Sequence, residues 1–257
     1  MNYKLTIGWL YPELMSTYGD RGNIIVLKHR LKLRGIGDTI LEIDQSTTEK
    51  ELSKVDILIG GGSQDREQEI VISDLLKKKN AIKSLFDSGT PGLFVCGSPQ
   101  LLGHSYMTGD GTKLPGLGLF DMETIHPGVG KTRCIGNLVA EISGDMRDAI
   151  GDIRKTIVGF ENHGGRTILG RGVKPFAHVL VGNGNNGRDK TEGAVCNNFI
   201  ATYSHGPFLP KNPHIADYLI FQALTQKYHK NIELAPLDDT LAWKAHEAVL
   251  RKYGITI

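Results

Sequence analysis

The stretch "GLFVCGSPQLLG", Gly92 to Gly103, decides the fold. Leu93, Phe94 and Val95 form a short apolar run of the kind that makes a buried strand. The run stops at Cys96, and Gly97, Ser98 and Pro99 lead at once into "QLLG". A strand that turns this sharply into a helix is a nucleophile elbow, which lifts a reactive atom above the edge of a sheet. The helix would turn its free N–H groups and positive end towards the sulfur. Both favour the thiolate over a thiol of pKa ~8.5. Gly97 permits the tight turn, and its N–H is placed to stabilise an oxyanion. Pro99 suits the first helical turn, where its missing N–H costs nothing. The competing reading is a buried, inert thiol. That reading applies to Cys134 and Cys196, which have no such setting.

Working outward, apolar runs alternate with helical patterns. Residues 5–10, 38–43, 55–62 and 92–96 read as strands. Residues 20–35 read as a helix, with Ile24, Leu27 and Leu31 on one face and Gly35 as its stop. Residues 66–89 are helical in one or two pieces. This alternation predicts an α/β fold, a mostly parallel central sheet with helices on both faces. In such sheets ligands bind beyond the carboxyl ends of the strands, where Cys96 sits. Past residue 115 come short strands, then helices over 213–228 and 239–253. With no Pro- or Ser-rich linker, we expect one domain over 3–212. A C-terminal helical extension, 213–257, would pack on the domain or on a partner. In the last helix Leu241, Trp243 and Val249 are candidates for either contact.

Composition narrows the classes. The 257 residues are 40% hydrophobic and 23% charged, enough for a sizeable core. A net charge of +2 gives no electrostatic case for nucleic acid or a membrane surface. No apolar run reaches the ~18 residues of a membrane span, and "MNYKLTIGWL" does not read as a secretory signal. The three cysteines are far apart and form no CxxC pair, so a metal or redox motif is not expected. Reduced thiols in a cytoplasmic protein are the simplest reading.

A thiolate nucleophile needs a base. His205, in "IATYSHGPF", also ends an apolar run, and a strand-end His about 100 residues after a strand-end Cys suits a pair assembled by the fold. His163, in "FENHGGRT", is a rival. "GVGKT" (128–132) imitates the end of a phosphate-binding loop, but Ile125 stands where that motif needs its first Gly. "GNGNN", followed by Arg188, Asp189 and Lys190, reads as a solvated or partner-lining loop, and Lys77, Lys78 and Lys79 as a solvated helix end.

Taken in order, "TYGDRGNI", "GGGSQDREQ", "CGSPQLLG", "GFENHGGRT", "GNGNN" and "YSHGP" resemble a class I glutamine amidotransferase of the CobB/CobQ-like, cobyric-acid-synthase type, over roughly residues 3–212. Within that group the chain is similar to GatD-type glutaminase subunits, which form a heterodimer with a MurT-type Mur ligase. The resemblance implies that Cys96 attacks the side-chain amide of L-glutamine, giving a glutamyl thioester and ammonia. His205 would act as base and then acid, and water would release glutamate. Backbone N–H groups of Gly97 and of Gly61 or Gly62 would hold the oxyanion. Arg133, in "KTRCIGN", would grip the α-carboxylate.

The resemblance further implies that ammonia serves the partner, which binds the ATP, to amidate the glutamate of lipid II to isoglutamine in peptidoglycan synthesis. No cofactor or metal is expected on this chain. A cobyrinate-type or other synthetase, a cysteine hydrolase acting alone and a non-catalytic scaffold are the alternatives. Two departures stand out. The elbow is Cys-Gly-Ser-Pro-Gln instead of Cys-Gly-Gly-aromatic-Gln, and Gly206 and Pro207 follow His205 where many class I enzymes carry His-x-Glu. A third catalytic group must then come from elsewhere in the fold or from the partner, and the chain alone should be a weak glutaminase.

Overall fold

The computed structural model describes residues 3–150 and 154–255. The first half runs β1 (Lys4–Leu10), α1 (Arg21–Leu33), β2 (Gly37–Ile43), α2 (Glu49–Leu52), β3 (Ile57–Gly60), α3 (Asp65–Leu75), α4 (Lys79–Asp87), β4 (Gly92–Val95) and α5 (Gly97–Leu102). The second half has more strands: β5 (Ser105–Met107), β6 (Lys113–Pro115), β7 (Met122–Ile125), β8 (Cys134–Ile142), α6 (Gly144–Ile150), β9 (Thr156–His163), β10 (Arg166–Leu169), β11 (Ala177–Val181), β12 (Thr191–Glu192), β13 (Ala194–Cys196) and β14 (Phe199–Thr202). Helices α7 (Pro213–Tyr228) and α8 (Thr240–Lys252) close the chain.

The central sheet has the order β13-β14-β4-β3-β1-β2. All its neighbours are parallel except the edge strand β13, which runs antiparallel to β14. Strands β3, β4 and β14 are buried at every residue, as a sheet covered on both faces requires. Leu27 and Leu31 of α1 and Ile215, Leu219 and Ile220 of α7 share one core with Leu93, Val95 and Ile200 of the sheet. Val71, Ile72 and Leu75 of α3 pack with Leu58 and Phe94 in the other. Two smaller four-stranded sheets, β10-β7-β5-β6 and β12-β11-β8-β9, account for the short strands past residue 115. The short helices α2 and α6 were not expected from the apolar pattern.

Helix α7 sits in the main core. Its Asp217 accepts paired hydrogen bonds from Arg30 of α1 and from Arg34 just past the end of α1, and Arg30 also reaches Asp239 just ahead of α8. Helix α8 lies on β8 and β9, with Leu250 against Val139 and Val158. His246 pairs with Thr156 at 2.9 Å, and Arg154 with Glu247 at 3.0 Å. Trp243 stacks on His214, Val249 packs on the Leu250 cluster, and Leu241 faces solvent. Residues 256 and 257 of the expected extension lie outside the described residues.

Asn212 fastens the start of α7 to β9. Its side chain accepts from Val158 N (3.0 Å) and donates to Val158 O (2.8 Å) and Phe208 O (2.7 Å), fully buried. Asn212→Ala strands a buried N–H and two carbonyls and should cost roughly 2–3 kcal/mol. A urea melt should show the lower midpoint with an unchanged slope.

Candidate active site

The elbow forms as its residues dictate. Cys96 has φ 54° and ψ −92°, a region that non-glycine residues seldom occupy and that collects at functional sites. Its N–H donates to Thr202 O of β14 at 2.9 Å, so the strained residue is clamped to the neighbouring strand. Ser98 N donates to Gly61 O and Ser98 Oγ to Val95 O. A Cβ on Gly60 would lie 2.8 Å from Ser98 Cβ, so Gly60 makes the room that the Ser at this elbow occupies. Every residue of α5 is buried.

His205 lies just past β14, next to β4. Its backbone pairs with Phe160 of β9 in both directions (3.3 and 2.8 Å), which ties the central sheet to a smaller one. A Cβ on Gly62 would meet His205 Cε1 at 2.7 Å and Cys96 Cβ at 3.3 Å, so the two side chains converge over a glycine. His205 Nδ1 donates to Asp20 Oδ1 at 3.2 Å, and Asp20 Oδ2 accepts from Gly62 N at 2.7 Å. The other ring nitrogen, Nε2, is buried and makes no hydrogen bond, which leaves it for the sulfur. Burial disfavours the imidazolium, but the negative charge on Cys96 and the Asp20 carboxylate outweigh it and raise the His205 pKa from 6.5 to about 10.

Asp20 is the residue that sequence reasoning missed. An Asp directly ahead of an apolar helix reads as an N-cap. It does precede α1, but its side chain makes no cap bond and turns to His205 and Gly62. The same bond corrects the oxyanion assignment. The Gly62 N–H is already given to a carboxylate, and of the "GGG" loop only the Gly61 part of that expectation remains open. Ser63 N is closer to the elbow, 2.8 Å from where a Gly97 Cβ would stand.

These groups open into a cavity of about 580 Å³ that is also lined by Tyr18, Asp65, Glu67, Gln100, Arg133 and His163. Arg133 is held by Asn162, Nε to Oδ1 and Nη2 to the carbonyl, each at 3.0 Å. Asn162 Nδ2 in turn donates to Tyr18 Oη at 2.8 Å, and the Tyr18 ring meets the His205 ring edge-on at 5.1 Å. His163 is buried, stacks on Tyr203 at 3.9 Å and bonds Gly165 O through Nδ1. Burial lowers its pKa, against the raising effect of Glu161. It lines the wall, and Asp20 orients His205 instead.

Two other motifs find structural roles. "GNGNN" is no solvated loop at its start: Asn183 and Gly184 donate to the buried Glu161 carboxylate, and Asn185 is buried. "GVGKT" joins β7 to β8, so the strand–loop–helix geometry of a phosphate loop does not form there. Lys78 is not a solvated helix end; it is buried against Asp74 at 2.6 Å. Cys134 is a buried β8 residue whose thiol pKa is raised by burial, as is that of the half-buried Cys196.

A cysteine on a strand-end elbow, a histidine on the next parallel strand and a carboxylate behind it define a class I amidotransferase-like hydrolytic site. The family comparison agrees with that geometry: residues 6–213 match the CobB/CobQ-like glutamine amidotransferase domain, and the chain belongs to this family. It is 42% identical over 226 residues to the lipid II isoglutaminyl synthase (glutamine-hydrolyzing) subunit GatD of Staphylococcus aureus, covering 88% of this chain and 86% of that one. The GatD subunit of Streptococcus pneumoniae is 36% identical, covering 95% and 90%. A cobyric acid synthase of Pelotomaculum thermopropionicum is 28% identical, over 80% of this chain and only 38% of that protein. Among solved structures, a glutamine amidotransferase superposes with a TM-score of 0.57 (15% identity; 84% and 98% covered). The glutaminase domain of Trypanosoma brucei CTPS superposes with a TM-score of 0.54 (13%; 90% and 96%). The fold is therefore that of the class I glutamine amidotransferases.

Two outcomes follow from the triad geometry. Asp20→Asn removes the charge that fixes the ring tautomer and should lower kcat/KM for glutamine roughly 10²-fold. The imidazole titration, followed by NMR, gives a second check. His205 should titrate near 10 in the wild type and lower in Asp20→Asn or Cys96→Ala, because each removes a negative charge that raises it. A raised pKa stabilises the fold fully below the unfolded value of 6.5, and that contribution is lost as pH rises towards 10.

Proposed function

We propose that this chain is the glutaminase subunit of a two-subunit lipid II amidotransferase. The observation that carries the chemistry is the line Asp20–His205–Cys96 at the carboxyl edge of the sheet, opening on a cavity that also holds Arg133. Glutamine seats its α-carboxylate on Arg133 and its side-chain amide over Cys96. The sulfur attacks the amide carbon, and the N–H groups of Gly97 and Gly61 stabilise the oxygen charge that develops. His205, held as the imidazolium by Asp20, protonates the departing ammonia and then takes a proton from the water that cleaves the thioester. Glutamate leaves, and ammonia goes to the partner.

The names of the two GatD relatives support lipid II as the amidated substrate, and their identity and coverage favour that reading over a cobyrinate synthetase. We infer a MurT-type Mur ligase as partner and the cytoplasm as the site of action. No helix among the described residues is long and apolar enough to cross a membrane.

Glutamate release from L-glutamine is the test, with the chain alone and co-expressed with a MurT-type ligase. Release should rise when the partner is present and fall to background in Cys96→Ala. A folded complex with intact Cys96 and no release would overturn the reading.

A further inference from the structure

Free glutamine carries an α-ammonium as well as an α-carboxylate, and the reading above, on which this inference rests, assigns a partner only to the carboxylate. Two carboxylates line the cavity, Asp65 and Glu67. Asp65 is already occupied: Oδ1 accepts from Tyr106 Oη at 2.7 Å and Oδ2 from Gly109 N at 3.0 Å. Glu67 is not. Its Oε2 is buried and accepts no hydrogen bond, and no lysine, arginine or histidine pairs with it among the described residues.

A local role for Glu67 is also missing. It is the third residue of α3, the position from which a glutamate can reach back to cap its own helix. No hydrogen bond joins it to Gln64, the capping residue. A carboxylate oxygen buried without a donor is costly, and a cationic donor relieves that cost. The first turn of α3 is fixed to the elbow. Gln68 Nε2 donates to Gln100 Oε1 at 2.9 Å and would stand 3.3 Å from a Gly97 Cβ, while Gln100 donates on to Tyr203 Oη. Glu67 is therefore held at a set offset from Cys96, in the cavity that also holds the Arg133 guanidinium.

We propose that Glu67 receives the α-ammonium of glutamine and is the residue that separates an α-amino-acid amide from a simple amide. With Arg133 it makes a two-charge clamp of opposite sign, which a zwitterion satisfies and an uncharged amide does not.

The test compares L-glutamine with glutaramate, which has the same carboxylate and amide and no amino group. Both are assayed with the full chain co-expressed with its ligase partner, as wild type and as Glu67→Gln. The preference for glutamine, as a ratio of kcat/KM values, should fall about 10- to 100-fold, the scale of one charged hydrogen bond. The fall should come mainly through KM for glutamine. Calorimetric binding of both compounds to Cys96→Ala, with and without Glu67→Gln, should show the same loss for glutamine alone. An unchanged ratio with glutamine turnover intact would overturn the Glu67 assignment only. Equal slowing of both amides would make Glu67 a support of the elbow and also overturn it. A wild-type complex that cleaves neither amide would remove the glutaminase reading and this assignment together.

Discussion

The parallel pairing of β4 with β14 is the constraint from which the site follows. Val95 stands opposite Thr202, and the next amide, Cys96 N–H, closes on the Thr202 carbonyl. One hydrogen bond thus ends one strand at Cys96 and fixes the height of the neighbouring strand, three residues before His205. A slip of two residues along either strand would move Cys96 and His205 apart by about 7 Å. Burial of all four residues on both strands makes such a slip prohibitive, because both faces of the sheet are committed to a core.

Onto this frame Asp20, the residue directly ahead of α1, adds a carboxylate. Asn23 Oδ1 of α1 accepts from Leu209 N in the loop after His205, so the helix grips that loop as well as the ring. Arg30, further along α1, and Arg34, at its C-terminal cap, bind Asp217 of α7, and α7 follows directly from the same loop. The Asp20 carboxylate therefore sits at the head of an element anchored at three levels to the segment that carries His205. The carboxylate on the His205 ring thus comes from Asp20 and not from two places after His205, where Pro207 stands. Pro207 packs so closely on α1 that a Cβ at Gly22 would lie 2.3 Å from its ring. A proline at that place exchanges a local carboxylate for tight contact with the helix that supplies a distant one.

How much was legible follows from what each signal encodes. The elbow, the strand-end histidine and the alternating α/β order are written as local patterns, namely an apolar run, a glycine break and a helical period, and each formed where those patterns lie. Asp20 was hidden because its local pattern has another meaning: Asp before a helix spells a cap, and only the three-dimensional approach of β3 and β14 shows the side chain turned elsewhere. "GNGNN" failed for the same reason. Its polarity reads as hydration, whereas its amides are spent on a buried carboxylate, Glu161, 22 residues before Asn183. The second half of the chain was legible only as strands. Its partition into two small sheets depends on pairings, antiparallel except for β5 with β7, between half-buried segments that carry little register information.

Those buried carboxylates show how the floor of the site is kept rigid. Glu161 and Glu192 are both fully buried, and burial alone would push both pKa values up. Glu161 ends below its ordinary value because His163 and the Asn183 amides outweigh that penalty. Glu192 has Thr202 and the Tyr203 N–H on one oxygen and nothing on the other, and it rises to about 7. Both touch the stacked His163–Tyr203 pair: Glu161 Oε2 lies 3.7 Å from the imidazole Nε2, and Glu192 accepts from the tyrosine N–H. Tyr203 Oη then meets Thr167 and Gln100, and Gln100 reaches α3 through Gln68. A buried polar layer linked residue to residue in this way tolerates little side-chain motion. It carries the order of the central sheet into the first turn of α3, where the cavity wall begins.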